Sequence, residues 1–243
     1  MASKYTTTKP PDHITELRTT SRPIPPSPSY GIDSPLGLLL SNILSPLYLY
    51  ASLKGKFDAW DAALAELPPE ALDAPALDMG CGRGLVLLKL AQLKKKKKKR
   101  AAATANCTVD PVYGVDLFIT GDQSGNAPEA TYDNVAALDV LDEVVLHTAS
   151  FTELPFCDAG MGLVTASLSV HNVGRDARQL AIAEAARVLW SGGYLVILEL
   201  YGYVGEYADV LRGLGWEDVR IELGGLEVMY GAWPCQWLKA RKP

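Results

Sequence analysis

The chain has 243 residues, 48% of them hydrophobic and 21% charged, which reads as a soluble globular chain with one sizeable core. Its formal net charge is −5, and the run Lys94 to Arg100 holds seven of the 23 basic residues, so the remainder sets 16 basic against 28 acidic residues. So acidic a body lacks the broad basic face of a nucleic-acid-binding protein, and no nucleic-acid partner is expected.

The four cysteines, Cys81, Cys107, Cys157 and Cys235, show no CxxC spacing, and no secretory pattern opens the chain. A reducing, cytoplasmic setting and no metal site are the expectation. Residues 1–30 are rich in Thr, Ser and Pro, with Pro23, Pro25, Pro26 and Pro28 crowded together, and predict a flexible, extended arm. From residue 31 the character changes. Ser34 suits a helix N-cap and Pro35 a first helical position, and Leu36, Leu39, Leu40, Ile43, Leu44 and Leu47 follow at helical spacing as far as a kink at Pro46. Residues 31–56 are therefore expected to form an apolar helical lid. Residues 36–53 are too interrupted by Ser, Asn and Pro for a good membrane span, and contact with a membrane surface is the alternative to the lid. Phe57, Trp60, Leu64 and Leu67 predict a second helix, stopped by Pro68-Pro69.

Residues 57–243 read as alternating strands and helices. Ala76-Leu77-Asp78-Met79 is a short apolar run ending at Gly80-Cys81-Gly82-Arg83-Gly84, and a helical pattern follows to about Leu93. Such a turn brings bare backbone N–H groups and a helix N-terminus to a polar or anionic ligand. A dinucleotide fingerprint would need glycine where Leu85 stands, and a phosphate loop would need Gly-Lys-Ser/Thr. The lysine run is expected to open a solvated, low-complexity insertion over residues 94–108. Strands are predicted at Val112–Phe118, Val144–Thr148, Leu163–Ala166 and Tyr194–Leu200, with helices after Pro128 and around Leu180 to Leu189. Trp216–Ile221 and Gln236–Arg241 predict two closing strands. This alternation predicts an α/β, mostly parallel sheet covered on both faces. Asp116 ends a strand and suits the acid that binds ribose hydroxyls, usually ~20 residues past the glycine turn. Its separation of 36 from Gly80 shrinks to that scale once the insertion is discounted.

Four segments in order, LDMGCGRG, GVDLF, SFTELPF and ARVLWSGGYLVILEL, resemble the class I S-adenosyl-L-methionine (SAM) dependent methyltransferases, over about residues 57–240. The last is similar to the common RVLxPGGxLxIxE segment, with Ser191 in place of proline. The chain looks closest to the small-molecule branch that includes the ubiquinone and menaquinone biosynthesis enzymes, and YGID and DQSGNAPEAT are similar to a less characterised subgroup, some of whose members carry membrane helices before the domain. The resemblance implies a Rossmann-like, seven-stranded methyltransferase fold and SAM as cofactor. Gly80, Cys81 and Gly82 would lie under its methionine and ribose, with Asp78 toward its amino group. Asp116 would hold the ribose hydroxyls, Leu117, Ser150 and Phe151 would meet the adenine, and Ser167 completes the implied cofactor set. Two positions depart from the family: Ser150 stands where Asp is frequent, and Gly162 where Asp commonly begins the fourth strand, so a backbone-only contact is expected there.

The implied reaction is methyl transfer to a small, hydrophobic metabolite, a reading favoured by Tyr48, Tyr50 and Trp60 beside the apolar helix. An acceptor hydroxyl or acidic carbon also needs a base, for which His171, just past the fourth strand, is the candidate, against a structural role capping the next helix. Tyr30 with Asp33, and Asp122 in the polar loop Thr120 to Asn126, are the other catalytic candidates. A SAM-binding module without methyl transfer is the alternative, and a nicotinamide oxidoreductase is disfavoured by Leu85.

Overall fold

A computed structural model describes residues 10–31, 49–101, 110–121, 123–230 and 232–243. The expected apolar helix as far as Leu47, with Asp33 at its start, and the loop residue Asp122 lie outside the described residues. Among the described residues no helix is long and apolar enough to cross a membrane.

The apolar runs become five parallel strands: β1 (Ala76–Met79), β2 (Val112–Asp116), β3 (Val144–Thr148), β4 (Met161–Ser167) and β5 (Leu189–Leu200). Two closing strands, β6 (Val219–Leu223) and β7 (Cys235–Arg241), run antiparallel, giving a seven-stranded sheet in the order β3-β2-β1-β4-β5-β7-β6. Successive side chains leave a strand on opposite faces, and the core divides accordingly. On one face Ala76, Leu163, Val196 and Leu198 meet Trp60 and Leu64 of α2 (Lys56–Ala65), Leu87 and Leu90 of α4 (Leu85–Ala101) and Val135 of α5 (Pro128–Ala137). On the other, Leu77, Val164 and Ile197 meet Ile182 and Ala185 of α6 (Arg175–Val188) and Tyr207 and Leu211 of α7 (Val204–Gly213). Between α2 and β1 lies the short α3 (Pro69–Asp73), with proline at its N-terminus, where a missing N–H is harmless.

Three expectations change. The lysine run is not a solvated insertion in its first part, because α4 continues through it to Ala101. Lys94 is only 2% exposed, and its ammonium donates to the Ala74 carbonyl at 2.6 Å, closing the end of α3; burial lowers its pKa to about 8. Lys95, Lys97 and Lys98 pair with Asp139, Asp73 and Glu143, so composition alone hid a helix side docked on three acids. β5 begins at Leu189 rather than Tyr194. Met161 pairs with Leu189 and Leu163 with Tyr194, so Ser191-Gly192-Gly193 bulges within the strand instead of preceding it.

The third change concerns the N-terminal segment, whose described part is docked. Asp12 caps α1 (His13–Arg18) by accepting from the Ile14 N–H, and the same carboxylate oxygen accepts from the Leu146 N–H of the edge strand β3, each at 3.0 Å. His147 Nδ1 bonds the Pro11 carbonyl at 3.0 Å, Ile14 is buried, and Ser29 exchanges two backbone hydrogen bonds with the Asn134 amide. The segment thereby covers the outer edge of β3 and delivers Tyr30 to the C-terminal edge of the sheet.

Candidate active site

A cavity enclosing about 1080 Å³ of non-atom space, solvent at its mouth included, opens at the C-terminal ends of β1, β2 and β4, where ligands bind in open α/β sheets. Its floor is the turn after β1. Gly80 has φ +63°, and a Cβ there would stand 2.4 Å from Ser169 Cβ, so a larger residue fits neither the backbone nor the space. The N–H groups of Gly80 and Cys81 both donate to the Val115 carbonyl of β2, at 2.8 and 3.0 Å, which flattens the turn across the strand ends. Gly82, φ +50°, donates its N–H to Asp116 Oδ2 at 2.8 Å.

Asp116 is held from three sides. Besides Gly82, its Oδ1 accepts from the Phe118 N–H at 2.5 Å and from Asn126 Nδ2 at 3.2 Å, which fixes the carboxylate beside the turn. Asp78 lies beneath. It is fully buried, and its oxygens accept from Thr165 Oγ1 at 2.8 Å and the Leu87 N–H at 3.0 Å, joining β1, β4 and α4. Desolvation pushes its pKa up to about 7 against those two hydrogen bonds. Burial, with Asp116 and Asp78 nearby, raises the Cys81 thiol well above its ordinary value, so it is a neutral small residue in the floor.

Of the other residues inferred for the cofactor, Leu117, Phe151 and Ser167 line the cavity, and the Ser167 hydroxyl accepts from Trp60 Nε1 at 2.9 Å. Ser150 is outside the lining; its hydroxyl is engaged with the Thr152 hydroxyl at 2.7 Å and the Thr152 N–H at 3.1 Å. Gly162 makes no contact there at all. It sits at the opposite end of β4, where Cβ would come within 2.3 Å of Trp190 and of Ala74, so close packing explains the missing aspartate.

The side of the cavity beside β4 and β5 is built from side chains. His171, in the turn after β4, places Nδ1 2.6 Å from Glu199 Oε1, while Glu199 Oε2 accepts from the His171 N–H at 3.1 Å. Glu199 is fully buried, and Oε1 also accepts from the Leu200 N–H at 2.8 Å. A carboxylate accepting at Nδ1 leaves the lone pair on Nε2. His171 therefore does not cap α6, which starts after Gly174 without a side-chain cap. Tyr230 lines the cavity beside it, its ring centre 6.1 Å from the imidazole. Tyr30 packs edge-on against Phe57 at 4.8 Å, and burial pushes its phenol up to about 12, so it is a neutral wall rather than a base. One amide ties this wall to the turn: Gln123 donates to the Tyr30 carbonyl at 2.9 Å and accepts from the Arg83 N–H at 3.1 Å.

Sequence reasoning misses Glu199 and reaches Gln123 only as a member of the polar loop Thr120 to Asn126. A lone carboxylate within the apolar run Tyr194–Leu200 was the available signal for the first. The residues present fit a nucleoside-bearing cofactor: a bare-backbone floor, an acid fixed beside it, and Leu117 and Phe151 on the wall. Among the described residues no group of three His, Cys, Asp or Glu could hold a metal ion.

The methyltransferase-domain family matches residues 77–197. The 27-O-demethylrifamycin SV methyltransferase of Amycolatopsis mediterranei (strain S699) is 34% identical over 122 residues, 50% of this chain; the chain spans only 36% of that relative's length. Among solved structures, geranyl diphosphate methyltransferase in complex with SAM shares the fold at TM-score 0.57 and 17% identity, over 89% of this chain and 98% of that one. The [4+2]-cyclase SpnF does so at TM-score 0.55 and 17% identity, over 88% and 99%. Sheet order, glycine turn and the family match together make the chain a member of the class I SAM-dependent methyltransferases, with SAM as its cofactor.

Proposed function

We propose that this protein methylates a small, apolar, hydroxyl-bearing molecule, with His171 as general base. The observation that carries the reading is the His171–Glu199 pair in the cavity wall, with Tyr30, Phe57 and Tyr230 as an aromatic surround. SAM supplies an electrophilic methyl on a sulfonium. The glycine turn and Asp116 would hold the cofactor, and the aromatic wall would orient the acceptor and keep water out. Nε2 of His171 takes the acceptor's proton as oxygen attacks, and Glu199 fixes the tautomer and balances the imidazolium that forms. The relative whose name carries a 27-O-demethylated substrate supports oxygen as the attacking atom.

Calorimetry with SAM and release of S-adenosylhomocysteine from a panel of apolar phenols and alcohols test this. Turnover should fall ~10²–10⁴-fold in His171→Ala with SAM affinity kept. Tight SAM binding with no turnover on any hydroxyl acceptor would instead favour a non-methylating SAM-binding module.

A further inference from the structure

The edge strand β6 carries a pattern that fits a second copy of itself. Among the described residues its one strand neighbour is β7, and its Ile221 and Leu223 are 37% and 68% exposed. The Asp218 carbonyl and the Gly224 N–H both bond β7, so strand alternation turns the backbone N–H and C=O of Ile221 and Leu223, and the Val219 carbonyl, away from the sheet. Val219-Arg220-Ile221-Glu222-Leu223 places opposite charges symmetrically about Ile221.

We propose that this edge is a homodimer interface, two β6 strands pairing antiparallel across a two-fold axis at Ile221. In that register Ile221 meets its own copy and exchanges two backbone hydrogen bonds with it. Arg220 lies opposite the second copy's Glu222 on both sides of the axis, at the narrow pairs where side chains approach most closely. Val219 faces Leu223, and Asp218 faces Gly224, so no like charges meet. Centring one residue earlier sets Arg220 against Arg220 and Asp218 against Glu222; one residue later sets Glu222 against Glu222. A half-residue shift places the charged face of one strand against the apolar face of the other. Charge pattern and pleat thus agree on one register. Arg220 and Glu222 are already bonded within the chain, to Asp218 at 2.9 Å and Lys239 at 2.8 Å, on a face where side chains remain 68% and 45% exposed, so each can turn to the second copy. Val219–Leu223 contains neither proline nor lysine, two of the devices that blunt solitary edges.

The full chain, kept reduced, is measured by size-exclusion chromatography with light scattering over a wide concentration range. A dimer is expected. Arg220→Glu or Glu222→Arg alone should weaken it on the order of tenfold or more, and the double swap should restore it. Mixing the two single variants should give heterodimers, since all their facing charges are opposite. Ile221→Pro removes an outward N–H and should give a monomer with SAM affinity intact, which verifies the fold. A monomer at every concentration, or a dimer indifferent to both the charge variants and Ile221→Pro, overturns the proposal.

Discussion

The two halves of the cavity are made of different material. Beside β1 and β2 the contacts come from main chain: the Gly80 and Cys81 N–H groups on Val115, and Gly82 and Phe118 on Asp116. Beside β4 and β5 they come from side chains distant in sequence: His171 with Glu199 and Trp60 with Ser167. A backbone-built half tolerates almost any neighbour but no Cβ at Gly80 or Gly82. A side-chain-built half can change its ligand by substitution while the scaffold stays.

Substitutions can set that contrast against measurement. Gly80→Ala should have the largest effect. Its Cβ meets Ser169 at 2.4 Å in a left-handed backbone, so SAM binding is expected to disappear from calorimetry and the melting temperature to drop. On the other half, Glu199→Gln should lower turnover by ~10²-fold or more and reshape its pH profile, because an amide can donate to Nδ1 and reverse the imidazole tautomer. SAM affinity should stay within about twofold, the split between turnover and cofactor binding that separates the halves.

Asp78 gives a pH test beneath the turn. Its native pKa of about 7 lies above its ordinary value of 3.8, so below 3.8 both states hold the proton and nothing is lost. Between those values the native state keeps a proton that the unfolded chain has released, and stability falls as pH rises, by the full penalty above 7, at ~1.4 kcal/mol per unit. Melts of cofactor-free protein should therefore show the wild type losing ground to Asp78→Asn from pH 4.5 to 8; a constant difference would refute the burial argument. Gln123→Ala should be smallest, a few-fold rise in KM for both substrates with kcat little changed, since it unties Tyr30 from Arg83 without touching the reacting atoms.

The same division explains what was legible in the sequence. The backbone half is local: an apolar run, three spaced glycines and a strand-ending Asp116 state the fold and the floor of the cavity within one βαβ unit. The place of Ser150 outside the lining was hidden because a serine can satisfy itself on Thr152, and that of Gly162 because strand position, not family position, decides whether a residue reaches the cavity. The docking of the N-terminal segment was hidden similarly. Its composition is that of an unfolded arm, but one well-placed carboxylate, Asp12, finds the Leu146 N–H 134 residues away. The lysine run misled because a repeated residue suggests a single solvated role. Its members take different ones according to which side of α4 each occupies.

Asp12 carries one further consequence. A sheet presents two ends to the outside, and by occupying the N–H of Leu146 this carboxylate closes the end at β3 while, among the described residues, the end at β6 stays open. Growth by strand addition is then one-sided. Two copies joined through β6 present only sealed outer borders, so the assembly terminates at two instead of propagating into a fibre.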